Sequence, residues 1–243
     1  MTAKIAIVAA LEREVKPLIS SWRVVDRSHA GRHFRFFESE HAVLVCGGIG
    51  EEAARRAAEA AFALYAPDTI LSAGFAGALD RSMKVADIFT PCRVVSARDS
   101  SVSETGTGSG TLVSFASIAT ADQKGKLASA YGAQAVDMEA AAVARAAQLR
   151  GVRFECVKAI SDDQNFDMPG LDRFVKGGQF RTSMFIAYSL ARPWLWLRLL
   201  RLAQNSAKAA RTLCNFLERY NPQPEFLENV PSGLHLTSKR KIR

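Results

Sequence analysis

Apolar runs and amphipathic segments alternate along most of the 243-residue chain. Segments with helical periodicity lie between short runs rich in Val, Ile, Leu and Ala. The apolar runs predict buried β-strands at residues 4–9, 42–46, 69–73, 88–97, 112–117 and 153–160. The periodic segments predict helices at residues 11–20, from about 51 to 65, and at 121–130 and 139–150. Strands that alternate with helices favour an α/β fold, and we predict a three-layer sheet.

Two of the predicted strands run into glycine-rich sequences, where the chain should turn before the next element. The strand at residues 42–46 leads into Gly47-Gly48-Ile49-Gly50, and the strand at residues 69–73 leads into Gly74-Phe75-Ala76-Gly77. A polar Ser, Thr and Gly stretch at residues 100–110 predicts a mobile loop or a short connection.

The C-terminal part changes in character. A helix is predicted after Pro169, with Phe174, Phe180, Phe185 and Tyr188. A further amphipathic helix is predicted from its two faces, an apolar one with Leu195, Leu199, Leu202 and Leu213, and a basic one with Arg198, Arg201, Lys208 and Arg211. We therefore divide the chain into an α/β body at residues 1–190, a basic helical extension at 191–220 and a flexible basic tail at 221–243.

The net charge of +8 is unevenly distributed. Residues 1–172 hold 19 Lys and Arg against 21 Asp and Glu, whereas residues 173–243 hold 13 against 3. An anionic partner is therefore expected to meet the C-terminal segment rather than the body, and we expect no nucleic-acid partner.

The remaining composition narrows the class of protein. Four isolated cysteines and four histidines lack the spacing of a zinc site or a disulfide framework, so we expect reduced thiols and no metal. The first ten residues lack the order of a signal peptide, and no apolar stretch reaches the roughly 18 residues of a membrane span. These features are typical of a cytoplasmic protein.

Three carboxylates stand at the ends of predicted buried strands: Asp137, Glu139 and Asp162. Burying a charge is costly unless the charge is paired or used, so these residues are candidates for chemistry. The alternative is structural, because Glu139 could open a helix and Asp162 could cap the next one. The glycine-rich sequences upstream favour the functional interpretation.

Five short motifs occur in the order found in the nucleoside phosphorylase superfamily. They lie at residues 9–15, 47–50, 74–77, 137–140 and 159–162. Over residues 3–185 the chain resembles this superfamily, and most closely the methylthioadenosine/S-adenosylhomocysteine nucleosidases. The resemblance implies a phosphorylase/hydrolase-like αβα fold with a central mixed sheet. It also implies an enzyme that cleaves the bond between a nucleobase and ribose, which water or phosphate then attacks.

The resemblance implies a role for each acidic residue. Asp162 would protonate N7 of the departing adenine, and Glu139 with Met138 would hold the ribose. Glu14 would orient the attacking water, although by itself it reads as an exposed helix residue. The motifs make Ser161, Ala76 and Gly77 further candidates for substrate contact. No cofactor is implied, although phosphate is a candidate co-substrate.

Three positions depart from the family pattern. Phe75 replaces a small serine in a region that contributes to the phosphate site of many phosphorylases. Ile118 stands where an aromatic residue usually lies near the base, and Lys158 replaces an arginine. These changes indicate a substrate other than simple methylthioadenosine.

Together with the basic extension, the altered motifs resemble those of the hopanoid-associated phosphorylases. The implied substrate is adenosylhopane, and the implied products are adenine and ribosyl- or phosphoribosyl-hopane. We expect a homo-oligomer that contacts an anionic membrane at its inner face. One alternative is a soluble nucleosidase acting on methylthioadenosine, S-adenosylhomocysteine or futalosine. The other is a non-catalytic lipid- or nucleic-acid-binding module. The presence of Glu14, Glu139 and Asp162 together argues against it. The choice between hydrolysis and phosphorolysis stays open.

Overall fold

The computed structural model describes residues 5–167, 172–176, 178–181, 184 and 196–220. Eleven strands form one sheet: β1 (Ile5–Ala9), β2 (Arg23–His29), β3 (Arg32–Glu38), β4 (Ala42–Cys46), β5 (Thr69–Ala78), β6 (Ile88–Phe89), β7 (Arg93–Ser96), β8 (Val102–Glu104), β9 (Thr111–Ser114), β10 (Ala135–Asp137) and β11 (Arg153–Asp162). A separate hairpin pairs β12 (Val175–Lys176) with β13 (Gln179–Phe180). The helices are α1 (Glu12–Ile19), α2 (Glu51–Tyr65), α3 (Ala121–Tyr131), α4 (Ala140–Gln148) and α5 (Trp196–Glu218).

The centre of the sheet is parallel and its margins are mixed. Strands β4, β1, β5 and β11 run parallel to one another. The end of the long strand β5 pairs antiparallel with β10, beyond which β9 and β7 are again parallel. The antiparallel hairpin of β2 and β3 extends the sheet beside β4. The predicted central mixed sheet is therefore confirmed.

Helices cover both faces of the sheet. On one face, α2 and α4 pack through small side chains such as Ala57, Ala61 and Ala147, which let the helices approach closely. On the other face, Val15 of α1 and Leu213 of α5 are completely buried in a second core. The three-layer αβα architecture and the predicted C-terminal helix are confirmed.

Several predicted elements need correction. The strand expected at residues 69–73 continues through the glycine motif to Ala78, and the strand expected at 88–97 is split into β6 and β7. The polar stretch at residues 100–110 contains the strand β8. The β2 and β3 hairpin turns at Ala30 and Gly31, which both have positive φ, and its alternating polar residues were not recognised as strands.

The prediction of a helix after Pro169 is wrong for the described residues from 172 to 181, whereas Met184 further along is helical. Residues Asp172–Phe174 form a 3₁₀ turn, and the β12 and β13 hairpin follows. Gly178 has a φ of 79°, a conformation that ends a helix and favours a tight turn. Phe185, Tyr188, Trp194, Leu195 and the predicted tail at residues 221–243 lie outside the described residues.

Candidate functional site

The predicted site residues meet in one cavity of about 1030 Å³. The cavity lies beside the ends of β1, β5, β10 and β11 and is closed on one side by α5. All nine predicted residues line it: Glu14, Phe75, Ala76, Gly77, Ile118, Met138, Glu139, Ser161 and Asp162. Residues that the sequence did not predict for the site line it too, including Lys124 on α3 and Leu199, Leu200 and Leu202 on α5.

Asp162 is held from two sides at the end of β11. The pairing of β11 with β5 shifts between Ile160 and Asp162, a bulge that changes which way the following side chains point. Ser161 Oγ donates to Asp162 Oδ1 at 2.6 Å, and Lys124 Nζ forms an ion pair with Asp162 Oδ2. No helix begins after Asp162, since residues 164 and 165 form a turn, so the helix-cap alternative is wrong for this residue.

Glu139 is fixed by backbone donors. The N–H of Gly50 donates to Oε1 at 2.8 Å and the N–H of Met138 donates to Oε2 at 3.2 Å. Burial, followed by the nearby charge of Asp137, raises the pKa of Glu139 to about 7, against the lowering effect of Lys158. Glu139 makes no side-chain cap, because Asp137 Oδ2 accepts the hydrogen bond from the N–H of Ala140 at 2.9 Å. Glu139 is thus the N-cap residue of α4 by position, but Asp137 supplies the side-chain hydrogen bond to the start of the helix, and the Glu139 side chain lines the cavity.

A buried cation lies behind these carboxylates. Lys158 Nζ is 2.8 Å from Asp137 Oδ2 and donates to Ser72 Oγ at 3.1 Å. Burial disfavours the charged form of Lys158, but the neighbouring Asp137 and Glu139 outweigh it and raise the pKa of the ammonium above its usual value. Lys158 therefore balances part of the negative charge in this wall of the cavity.

Glu14 is buried, with a relative exposure of 6%, so its interpretation as an exposed helix residue is wrong. Its Oε2 atom has no hydrogen-bond partner within the described part of the chain and faces Gly74, where a Cβ atom would come within 2.8 Å of that oxygen. Burial and the charge of Glu139 raise the pKa of Glu14 to about 8, although Lys158, Arg13 and the N–H of Phe75 act in the opposite direction. An unpartnered carboxylate oxygen in a cavity can accept a proton from a bound molecule.

The rest of the cavity wall is largely apolar. Phe75, Ile118 and Phe166 contribute, and the first half of α5 adds three leucines. One of these, Leu200, is 58% exposed, so the apolar wall continues to the protein surface. There it adjoins Trp196 and Leu197, which are 48% and 80% exposed. The second half of α5 packs into the core through Leu213 and its neighbours.

Other sequence expectations concern groups outside the cavity. The four cysteines are free; Cys156 and Cys214 are buried, whereas Cys46 and Cys92 are only half-buried. Across the described ranges, no group of three or more His, Cys, Asp and Glu side chains is arranged to hold a metal ion. Of the helices in those ranges, none is long and apolar enough to span a membrane.

Comparison with known proteins identifies the family. The profile of the phosphorylase superfamily matches residues 4–125 and 99–176. A 5'-methylthioadenosine/S-adenosylhomocysteine nucleosidase of Staphylococcus carnosus is 30% identical over 87 residues, which cover 35% of this chain and 38% of the relative. The corresponding nucleosidase of Buchnera aphidicola is 29% identical over 91 residues, or 36% of this chain and 39% of the relative. The aligned stretches thus span less than half of these curated relatives.

Solved structures share the fold over nearly the whole chain. Futalosine hydrolase of Helicobacter pylori superposes with a TM-score of 0.67 at 18% identity, covering 90% of this chain and 97% of that one. An S-adenosylhomocysteine nucleosidase of Streptococcus pyogenes, solved with 5-methylthiotubericidin, gives a TM-score of 0.63 at 18% identity and covers 91% and 99%. Since the family profile extends over more than half of the sequence, the chain belongs to the phosphorylase superfamily.

Proposed function

We propose that this protein hydrolyses the N-glycosidic bond of an adenine nucleoside. The observation that carries the proposal is the convergence of Glu14, Glu139 and Asp162, from three separate segments, on one cavity that also holds Met138. A non-catalytic module would have no need for three carboxylates in a largely apolar pocket, because each costs desolvation energy. The curated relatives named above are nucleosidases, which agrees with this reaction class.

Each carboxylate has a distinct role in the proposed reaction. The C1'–N9 bond breaks with its electron pair going to adenine, and Asp162 supplies a proton to N7 of the departing base. Glu139 accepts hydrogen bonds from the ribose hydroxyls, and its negative charge stabilises the cationic sugar. Glu14 orients water for attack at C1' and accepts the proton that the water loses. Met138 packs under the sugar.

We propose water rather than phosphate as the nucleophile because the Glu14 carboxyl group lies beside Gly74. The region that contributes to the phosphate site of many phosphorylases is occupied here by the Glu14 carboxylate, which lies against Gly74 and near the N–H of Phe75. A phosphate dianion would face that carboxyl group directly and would be repelled by its ionised form, the form that the proposed attack by water requires. The ring of Phe75 also takes space in the same wall.

The substrate we propose is a lipid-linked adenine nucleoside of the adenosylhopane type, which would yield adenine and ribosyl-hopane. The cavity volume of about 1030 Å³ is at the upper end of the range for small-molecule sites, about 300–1,000 Å³. Its apolar wall leads along Leu199 and Leu200 of α5 to the surface, where a hydrocarbon substituent could leave the pocket. Methylthioadenosine, S-adenosylhomocysteine and futalosine are the competing substrates, since they need no such path.

The test of the reaction is adenine release measured by chromatography. Purified protein is incubated with adenosine, methylthioadenosine or adenosylhopane, with and without phosphate. Asp162→Asn should lower turnover by about 10²-fold or more, because an amide cannot supply the proton. The control is Asp163→Asn, at an exposed neighbour, which should keep full activity. Full activity of Asp162→Asn would contradict the assigned role, and no adenine release from any nucleoside would reject the proposed function.

We also propose that α5 brings the protein to the inner face of an anionic membrane. Trp196, Leu197 and Leu200 are exposed next to the cavity, and Arg198 and Arg201 are exposed on the same turns. Tryptophan favours the bilayer interface, and each basic residue near an anionic leaflet contributes about 1 kcal/mol. Sedimentation with phosphatidylserine-containing liposomes should be lost on the double change Leu197→Asp and Leu200→Asp.

The matched control for that experiment is Leu149→Asp, since Leu149 is 78% exposed on a different surface. Liposome binding that survives the change in α5, or that is lost equally in the control, would contradict the membrane contact.

A homo-oligomeric state is a further proposal, which light scattering of the purified protein would test directly.

A further inference from the structure

Lys124 is a buried lysine that lies in the cavity wall beside Asp162. It is one of two buried residues on α3, with Leu127, and its side chain is only 3% exposed. The helix that carries it begins with a capping box, in which Thr120 and Gln123 bond each other's backbone N–H groups. This cap fixes the first turn of α3 and thereby the place where Lys124 enters the cavity wall.

The ammonium group of Lys124 contacts two acceptors at the end of β11. Nζ forms the ion pair with Asp162 Oδ2 and donates to the carbonyl oxygen of Asp163 at 2.7 Å. Asp162 therefore accepts from Ser161 on one oxygen and from an ammonium on the other. That is the arrangement of a carboxylate, whereas the proposed reaction needs Asp162 to supply a proton.

Stability alone does not account for this pair. A buried salt bridge recovers little more than the cost of removing both charges from water, and an apolar side chain of similar length would fill the position as well. The pair nevertheless stands beside Gly77, where a Cβ atom would come within 2.9 Å of Asp162 Oδ2 and 3.3 Å of Lys124 Cε. The backbone of β5 thus leaves room for these two side chains at the cavity wall.

We infer that Lys124 supplies the proton that Asp162 delivers to the departing adenine. This inference rests on the proposed function. As the C1'–N9 bond breaks and its electrons move onto the base, Lys124 Nζ passes a proton to the carboxylate of Asp162 and becomes a neutral amine, and Asp162 passes a proton on to N7. The ammonium of Lys124 is thus the source of the proton, and Asp162 is the group that carries it to N7. After adenine leaves, the amine regains a proton from water, while the proton taken up by Glu14 returns to solvent, so the protons balance.

Lys124→Met and Lys124→Arg separate proton supply from charge. Methionine keeps the apolar stem and removes the proton, whereas arginine keeps a cation beside Asp162 but cannot be deprotonated in a protein. Both variants should release adenine from adenosine about 10²-fold more slowly than the wild type at pH 8. A purely electrostatic or structural role predicts instead that arginine restores activity.

The pH profile gives a second readout. Without Lys124 the proton must come from solvent, so the ratio of kcat in Lys124→Met to that of the wild type should increase by up to about tenfold for each unit that the pH is lowered. The other ionisable side chains that line the cavity, Arg13, Glu14, Asp137, Glu139 and Asp167, are present in both proteins and cancel in this ratio. A ratio that does not vary with pH would overturn the inference.

A substrate whose leaving group needs no proton tests whether the variants keep an intact site. Turnover of 4-nitrophenyl riboside should change less than about threefold in both variants, because nitrophenolate departs without acid assistance. The control Lys126→Met changes an exposed lysine on the same helix and should behave as the wild type with both substrates. Equal losses on adenosine and on 4-nitrophenyl riboside would assign Lys124 a structural role. Absence of adenine release by the wild type would instead reject the proposed function itself.

Discussion

Glu14 and Glu139 lie where the neutral carboxyl group is favoured. Burial is the largest cause for both, and it raises the pKa of Glu14 to about 8 and that of Glu139 to about 7. Asp162, by contrast, lies against the ammonium of Lys124. The three carboxylates of the cavity therefore lie in different surroundings, and different surroundings are common among groups that share acid and base work.

The first prediction concerns the pH dependence of catalysis. If Glu14 accepts a proton from water, it must be ionised, so kcat/KM should rise with pH through about 8, the value to which burial raises the pKa of Glu14. Glu14→Gln should remove that rise and lower kcat/KM by about 10²-fold at pH 8.5. Glu12→Gln, an exposed change on the same helix, is the control. A rise near pH 8 that persists in Glu14→Gln would assign it to another group.

The second prediction concerns recognition of the sugar. Glu139→Gln keeps the side-chain shape but weakens the hold on the ribose hydroxyls, so kcat/KM for adenosine should fall more than for 2'-deoxyadenosine. The ratio of the two losses measures the coupling between Glu139 and the 2'-hydroxyl, as in a double-mutant cycle. Equal losses on both nucleosides would place Glu139 away from the sugar.

At the scale of elements, the backbone of strand β5 lies in close contact with two acidic side chains of the cavity. Gly74 lies against the Glu14 carboxylate and Gly77 against that of Asp162, so a methyl group at either position would meet a carboxylate oxygen at less than 3 Å. The glycine motif, which the pattern placed in a turn, is therefore strand backbone in contact with two acidic side chains. Close packing of this kind is one of the uses of glycine in strands.

The third prediction follows from that contact. Gly77→Ala should displace Asp162 and lower adenine release by about 10- to 100-fold, because small errors in the position of a catalytic group are costly. Gly125→Ala, in the middle of α3 with open space around it, is the matched control. It should keep activity and raise the free energy of unfolding by about 0.5–1 kcal/mol, measured by urea denaturation. Unchanged activity in Gly77→Ala would show that Asp162 tolerates the methyl group.

Helix α5 is divided between two environments. Leu213, Cys214 and Leu217 are buried in the core that α5 shares with α1, whereas the first turns line the cavity and reach the surface. Removing the whole helix would therefore expose core residues as well as open the cavity. For this reason point changes at Leu197 and Leu200 test the membrane proposal more directly than truncation does.

At the scale of the whole molecule, the buried carboxyl groups link stability to pH. In the folded protein the pKa is near 8 for Glu14 and near 7 for Glu139, against an ordinary value of 4.5. Between pH 4.5 and these raised values, the folded state therefore binds more protons than the unfolded state. The free energy of unfolding must then fall as the pH rises through this window. Groups whose pKa is lowered by folding, such as Glu38 and Asp80, stabilise the folded protein at a pH above their pKa in the unfolded state, which lies near 4.

The fourth prediction states that dependence as a measurement. Between about pH 5.5 and pH 8.5, the free energy of unfolding should decrease by on the order of a few kcal/mol, as measured by urea denaturation. The double change Glu14→Gln and Glu139→Gln should flatten the curve, since neither amide titrates. A wild-type stability that increases with pH across this interval would contradict the burial of these groups in their neutral form.

Most elements of the body could be predicted from the sequence, because their burial pattern is local. The runs at residues 4–9 and 42–46 contain few polar side chains, and the alanine-rich segment after Gly50 has the periodicity of a helix. The β2 and β3 hairpin was missed since its solvent-facing positions are polar. The helix predicted after Pro169 was wrong at residues 172–181 because the aromatic spacing there resembles a helix, while Gly178 turns the chain.

The sequence by itself determined most elements of the body and the family resemblance, since these depend on residue types and spacing along the chain, and the resemblance in turn indicated the nine residues that line the cavity. Only the tertiary structure decided that Glu14 is buried, that the side chain of Asp137 rather than that of Glu139 accepts a hydrogen bond from the first turn of α4, and that Lys124 pairs with Asp162 from 38 positions away. Desolvation and charge interactions depend on distances between segments that are remote in sequence. No local pattern records those distances, so the protonation of the site emerges only when the sheet brings its strand ends together.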